Sequence, residues 1–205
     1  SRPALRYLLT TALRKRDLAQ VEVLSTSVAE LSAAPGDFPG TEHGDSRAAA
    51  VFMTRAAEAT AADGSPPQDV IAKFQAALKH SPEHLPALRG LLHYAILQRQ
   101  FAAVADCAEA LAQHLRDNDE RYLHYMLAGV VSQELLKDRA RSQRAFLAGL
   151  RLLPEREEAF ERLRQAYVGQ TSTKKNTTAL AELLTERLRH HSDSDSYQSS
   201  LRLKL

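Results

Sequence analysis

Apolar residues recur along this chain at helical rather than strand spacing. The stretch "SQRAFLAGLRLLPEREEAFERLRQAY", Ser142 to Tyr167, shows the pattern most clearly. A helical stripe runs to Leu153, meets Pro154 and resumes at once. Proline lacks the N–H that continues a helix, and its ring clashes with the preceding turn. Leu152 and Leu153 therefore close one helix. Glu155, Glu157 and Glu158 fall in the first turn of the next, where the helix dipole favours negative charge. The stretch predicts two helices joined by a tight turn. Breakers stand at intervals elsewhere: Pro35-Gly36, Pro39-Gly40, Gly64 to Pro67, Pro82, Asp117-Asn118-Asp119, Pro154 and Gly169 to Asn176. The segments between them run roughly 12 to 18 residues, an ordinary helix length. Tidy strand-like alternation is confined to Leu201 to Leu205. The pattern predicts an all-α protein of short antiparallel helices.

The arrangement around Pro154 occurs earlier in the chain. In "DVIAKFQAALKHSPEHLPALRGLLHYA", Phe74, Ala77 and Pro82 repeat the spacing of Phe146, Gly149 and Pro154. Beyond the prolines, Leu88, Leu91 and Ala95 match Phe160, Leu163 and Tyr167. Such self-similarity marks a helical repeat. The offsets resemble the tetratricopeptide repeat (TPR), a helix–turn–helix unit of about 34 residues. Phe160, Leu163 and Tyr167 fit its first helix, and Phe74, Ala77 and Pro82 its second. Tyr125, Ala128 and Gly129 fit another first helix, completed by Ser142, Phe146, Gly149 and Pro154.

The resemblance implies a right-handed α-α superhelix (solenoid) of about five TPR-like helix pairs, a single domain over residues 2-190. The units fall at about 2-35, 46-84, 85-121, 122-156 and 157-190, followed by a polar tail, 191-205. Leu5, Leu8, Leu9 and Ala12 open the first, and Phe52, Ala56 and Ala59 the second. The fourth is expected to begin near Tyr122. Pro82 and Pro154 are 72 residues apart, whereas two units take about 68. The surplus is assigned to the Asp117–Asp119 turn and to the Leu136-to-Arg139 turn.

Composition narrows the function classes. Of 205 residues, 44% are hydrophobic and 25% charged, as in soluble globular domains. A net charge of +2, from 27 basic and 25 acidic residues, gives no strong pull toward nucleic acid or membrane. The single cysteine, Cys107, excludes an internal disulfide and a Cys-based zinc cluster. It reads as a small buried helix residue and is compatible with a reducing compartment, so a cytoplasmic location is expected. No run of 18 apolar residues is present, so no membrane span is expected. Leu5 to Leu9, interrupted by Arg6 and Tyr7, does not read as a signal peptide. Ser1 in place of methionine reads as a processed chain or as a piece of a longer one.

No catalytic constellation emerges. His43, His80, His84, His93, His114, His124, His190 and His191 are scattered, without an H-E-x-x-H pair. "GQTSTKKNTT", Gly169 to Thr178, lacks the P-loop glycine spacing and follows no strand. Neither enzyme activity, cofactor nor metal is expected. Arg14-Lys15-Arg16 complements the dipole at the end of the first helix. Arg139, Arg141, Arg144, Arg151, Arg156, Arg162 and Arg164 are interleaved with acids and read as an ion-paired surface, the alternative being a footprint for RNA or another polyanion. In the tail, Ser192, Ser194 and Ser196 lie among acids and resemble phosphorylation sites. Leu201, Leu203 and Leu205 could dock on the body or on a partner.

The resemblance implies that first helices line a concave groove that takes a peptide or a partner helix. Carried over by position, the groove-facing residues are Arg6, Thr10, Arg89, His93, Ile96, Met126, Val130, Gln133, Glu161 and Gln165. The clamp by which some family members hold chaperone tails is not expected. Val130 and Glu158 stand where Asn and Lys would be wanted. The function expected is a non-enzymatic protein–protein interaction scaffold binding another protein or peptide, as part of a larger assembly. The alternative is a regulatory helical domain that contacts nucleic acid through its 139-164 arginines.

Overall fold

The ends of the helices repeat more faithfully than their faces. In a computed structural model of the chain, which describes residues 2–34, 45–168 and Thr185, the first helices end in one shared device. Helix α1 (Arg2–Lys15) leads to α2 (Leu18–Ala33), α3 (Ser46–Ala62) to α4 (Pro67–His80), and α5 (Leu85–Leu97) to α6 (Phe101–His114). After α1, α3 and α5 comes one residue in the left-handed region: Arg16 (φ 55°), Gly64 (φ 78°) and Arg99 (φ 54°). Each lets two backbone N–H groups turn back onto orphan carbonyls at the helix end. Asp17 donates to Ala12 (3.1 Å) and Arg16 to Leu13 (3.2 Å). Ser65 donates to Thr60 and Gly64 to Ala61 (both 3.2 Å). Gln100 donates to Ala95 (2.9 Å) and Arg99 to Ile96 (3.0 Å).

The fourth first helix varies this ending. Helix α7 (Asn118–Val130) runs on into a π-helical turn, Val131–Leu135, before α8 (Arg139–Leu152) and α9 (Glu157–Val168). Lys137 (φ 57°) is the left-handed residue. Here Leu136 donates to Val131 (3.1 Å) and Asp138 to Ser132 (2.9 Å), a loop one residue wider than in the other pairs. The π-turn thus absorbs part of the surplus between Pro82 and Pro154. A further part lies in α7 itself. That helix begins at Asn118, a full turn before Tyr122, because the Asp117 carboxylate accepts the Glu120 N–H (2.9 Å) and caps it. Asp119 and Glu120 then meet the positive end of the dipole.

The proline seams match one another as well. Ser81 (φ −146°, ψ 98°) and Leu153 (φ −132°, ψ 82°) close α4 and α8 in extended conformations, as a following proline requires. The His84 N–H then donates to Ser81 (3.1 Å) and the Arg156 N–H to Leu153 (3.2 Å). Pro154 is a joint between helix pairs, as its sequence predicts. The described residues form successive short helices joined by tight turns and contain no strand. The Pro35–Gly40 turn, the Gly169–Asn176 turn, the second helix expected after α9 and the 191-205 tail lie outside the described residues. So does the Tyr167 side chain.

The chain forms two compact units, Ser1–Gln100 and Phe101–Leu205. In the first, α1 to α5 pack in sequence, α2 most extensively on α3. Leu9 and Ala12 of α1, Val21 of α2 and Ala59 of α3 share a core, with Leu24 and Phe52 against it. Ala49, Ala50, Ala56 and Ala57 leave α3 without bulk and are fully buried. The Phe74 ring of α4 fills the space above Gly90 of α5, where any Cβ would overlap it. In the second unit, Tyr122, Met126, Phe146, Leu150, Phe160 and Leu163 form the core. Each such large side chain contributes about 1.5–3 kcal/mol on burial. Ala108, Ala128 and Ala145 let α6, α7 and α8 approach one another. Among the described residues, no helix is long and apolar enough to cross a membrane.

Candidate interaction site

The π-turn builds a polar concavity in the second unit. Widening α7 by one residue displaces its last turn from the register that a regular helix would keep. Lys137 reverses the chain, and Asp138 caps α8 by accepting the Arg141 N–H (2.9 Å). Arg139 and Ser142 then lie one turn apart on α8, the Ser142 hydroxyl donating to the Arg139 carbonyl (2.9 Å). Gln165 and Ala166 come from the end of α9. Together Gln133, Glu134, Lys137, Arg139, Ser142, Gln165 and Ala166 line an open cavity of about 560 Å³.

Its electrostatics favour a ligand with acceptors. Glu134 is engaged by Arg162 at 3.5 Å. Lys137 and Arg139 form no ion pair among the described residues, so they set the sign of the rim. Two buried polar atoms of the turn, Ser132 Oγ and Gln133 Oε1, have no hydrogen-bond partner among the described residues. Leaving such groups unpaired costs about 1–3 kcal/mol each, and π-turns are frequent at functional sites. Two amide side chains and two cations thus line one cavity.

Of the residues expected in the groove, Gln133 and Gln165 meet at this cavity. Met126 does not face a ligand. It is 6% exposed, in the core with Tyr122 and Phe146. Tyr122, Met126 and Gly129 follow one another at helical spacing along the buried face of α7, which turns Met126 inward. Val130 is half-buried against the same core. Glu161 is half-buried and accepts from Arg164 Nε at 2.9 Å. In the first unit, Arg6 and Thr10 are exposed on α1. The Thr10 hydroxyl donates to the Arg6 carbonyl (2.8 Å), and the Arg6 guanidinium lies 5.8 Å from the Phe52 ring centre. Arg89, His93 and Ile96 are exposed on α5, with His93 edge-on to Tyr94. Lys137 and Glu134 were not among the groove residues read from sequence. The surplus near 136–139 was their only signal.

The arginine-rich region is largely neutralised. Arg141 Nε donates to Glu109 Oε1 (2.9 Å), and its Nη2 donates to Glu109 Oε2 (3.0 Å) and to Asp106 Oδ1 (2.7 Å), tying α8 to α6. The bond to Glu109 raises its affinity for its proton further. Arg156 pairs with Asp119 (2.6 Å), Arg162 with Glu134 and Arg164 with Glu161. Burial, with the Asp106 charge adding, pushes the Cys107 thiol up to about 11, which leaves it un-ionised at neutral pH. Among the described residues, no three His, Cys, Asp or Glu side chains gather as metal ligands.

No protein-family model and no curated protein matches the chain. Solved structures resemble it loosely. A MamA described as the RS-1 ArsTM double mutant is 16% identical, over 94% of this chain and 97% of that one, with a TM-score of 0.46. Another MamA structure is 12% identical, over 95% of both chains, also at 0.46. PilF of Pseudomonas aeruginosa is 15% identical, over 97% of this chain and 95% of that one, at 0.43. Likeness this loose adds no weight to the chain's own repeated helix ends.

Proposed function

We propose that this protein is a non-enzymatic helical-repeat scaffold that holds an extended peptide segment at the cavity beside the π-turn, within a larger assembly. One observation carries the reading. Gln133 and Gln165, from successive first helices, line the same cavity as two cations that form no ion pair among the described residues. An amide can pair with both the N–H and the C=O of a peptide unit. Lys137 and Arg139 add attraction for an acidic side chain. A polyanion surface over residues 139-164 is the weaker reading, because Arg141, Arg156, Arg162 and Arg164 are already spent on acids.

Peptides selected from a random displayed library against the full chain test this. The Gln133→Ala, Gln165→Ala double variant should bind them at least about tenfold more weakly. Arg144→Ala, Arg151→Ala should leave binding unchanged. The opposite ranking, with affinity falling steeply as salt rises, would favour the polyanion reading.

A further inference from the structure

The ending of α7 holds one residue more than its counterparts, and that residue adds nothing to the core. In three pairs the N–H that closes the first helix reaches back five residues: Asp17 to Ala12, Ser65 to Thr60 and Gln100 to Ala95. In the fourth it reaches back six, from Asp138 to Ser132. With one residue fewer between them, that same 2.9 Å bond would be the closure the other three pairs use. Leu135 is the residue the turn can lose. Val131 and Ser132 are buried, and Leu136 is half-buried. Gln133, Glu134 and Lys137 line the cavity. Leu135 is 50% exposed. It lies outside the core around Phe146 and outside the contact of Ala108, Ala128 and Ala145.

The surplus is not neutral for the fold. A π-turn is a rare departure from the α-helix, met most often at functional sites. This one also holds the unpartnered Ser132 Oγ and Gln133 Oε1. A local rule broken with no return in packing points to function. What the extra residue changes is angle. Each residue of an α-helix turns the chain by about 100°. The insertion therefore rotates Gln133 and Glu134 relative to Lys137 and Arg139, while Tyr122 and Met126 keep their places in the core upstream. On the reading of this cavity as a peptide site, we propose that the inserted Leu135 is a positioning residue. It acts through backbone register rather than through its own side chain, and sets the Gln133 amide against the two cations. A regular ending would hold α7 and α8 together at least as well and would take the two halves of the site apart.

Two variants of the full chain test this, one with Leu135 deleted and one with Leu135→Ala. The probe is a library-selected peptide that the Gln133→Ala, Gln165→Ala variant binds more weakly than the parent does. Deletion of Leu135 should raise the urea midpoint and yet weaken the peptide by at least about tenfold. Leu135→Ala keeps the extra residue and should bind within about twofold of the parent. The proposal is overturned if the deletion lowers the midpoint, because the surplus is then needed for packing. It is overturned also if the deletion variant binds as the parent does, or if Leu135→Ala loses as much affinity as the deletion. If the library yields no peptide that depends on Gln133 and Gln165, the cavity reading itself fails and the role of Leu135 falls with it.

Discussion

Replacing Gly129 by alanine should destabilise the second unit, although alanine is the better helix former. The missing Cβ of Gly129 makes room for the Phe146 ring. A methyl group there would lie 2.6 Å from Cδ1, 2.9 Å from Cζ and closer still to Cε1. The ring has no retreat, because it is fully buried among Tyr122, Met126, Phe160 and Leu163. Overpacking of this kind costs about 1–3 kcal/mol, and helix propensity returns about 1 kcal/mol. With the ring unable to retreat, the upper part of that range, about 2–3 kcal/mol, applies, and the net loss is about 1–2 kcal/mol. Gly149→Ala, on the neighbouring helix, supplies the control. Its Cβ would meet Tyr122 at 3.5 Å and Tyr125 at 3.6 Å, ordinary contact distances, so the variant should gain about 0.5–1 kcal/mol. Urea unfolding followed by far-UV circular dichroism separates the two. The reasoning fails if Gly129→Ala is as stable as the parent, or if the two glycines respond alike. Adding Phe146→Leu to Gly129→Ala should relieve the overlap and make the double variant's loss smaller than the sum of the single losses.

Other expectations follow from the same geometry. Arg141→Met should lower stability by about 1–3 kcal/mol, since it strands Glu109 and Asp106, whereas Arg144→Met should stay within about 0.5 kcal/mol in the same urea titration. Lys137→Gly and Arg99→Gly should each raise stability by about 0.5 kcal/mol in the same titration, by removing left-handed strain from a residue with a Cβ; a fall in either would mean the turn is not left-handed in solution. Burial lowers the His84 pKa, with Glu58 and Glu83 partly opposing it. The unfolded chain therefore takes up its proton first. Stability should decline as pH falls through about 6.5 and level off once the folded imidazole is protonated. His84→Gln should flatten that slope between about pH 7 and 5, and an unchanged slope would show that other groups set it.

The seams were legible because proline acts locally. Pro82 and Pro154 forbid helix continuation whatever surrounds them, so their joints could be read from the chain alone. The aromatic and small positions between them were legible for a similar reason, since burial imposes helical spacing on Phe74, Phe146, Phe160 and Leu163. The left-handed turns at Arg16, Arg99 and Lys137 were not, because glycine is the usual signal and here basic residues take the strained conformation. The start of α7 was hidden because Asp117-Asn118-Asp119 has the composition of a loop and the function of a cap. The cavity was half legible. Gln133 and Gln165 follow from repeat position, but Lys137 and Arg139 reach it through a π-turn, which a surplus of residues hints at without locating. Met126 was placed by repeat position alone, whereas the stripe of Tyr122, Met126 and Gly129 along α7 turns it into the core.

The central claim is that a peptide is held at the cavity shared by Gln133, Lys137, Arg139 and Gln165. Side-chain amide and backbone NMR of the isotopically labelled full chain, titrated with a library-selected peptide, tests it most directly. The account predicts that the Gln133 and Gln165 side-chain amide signals shift together, with Ser142 and Ala166 beside them, and that all four saturate at one affinity. Shifts centred on Arg144 and Arg151, with Gln133 and Gln165 unmoved, would contradict it.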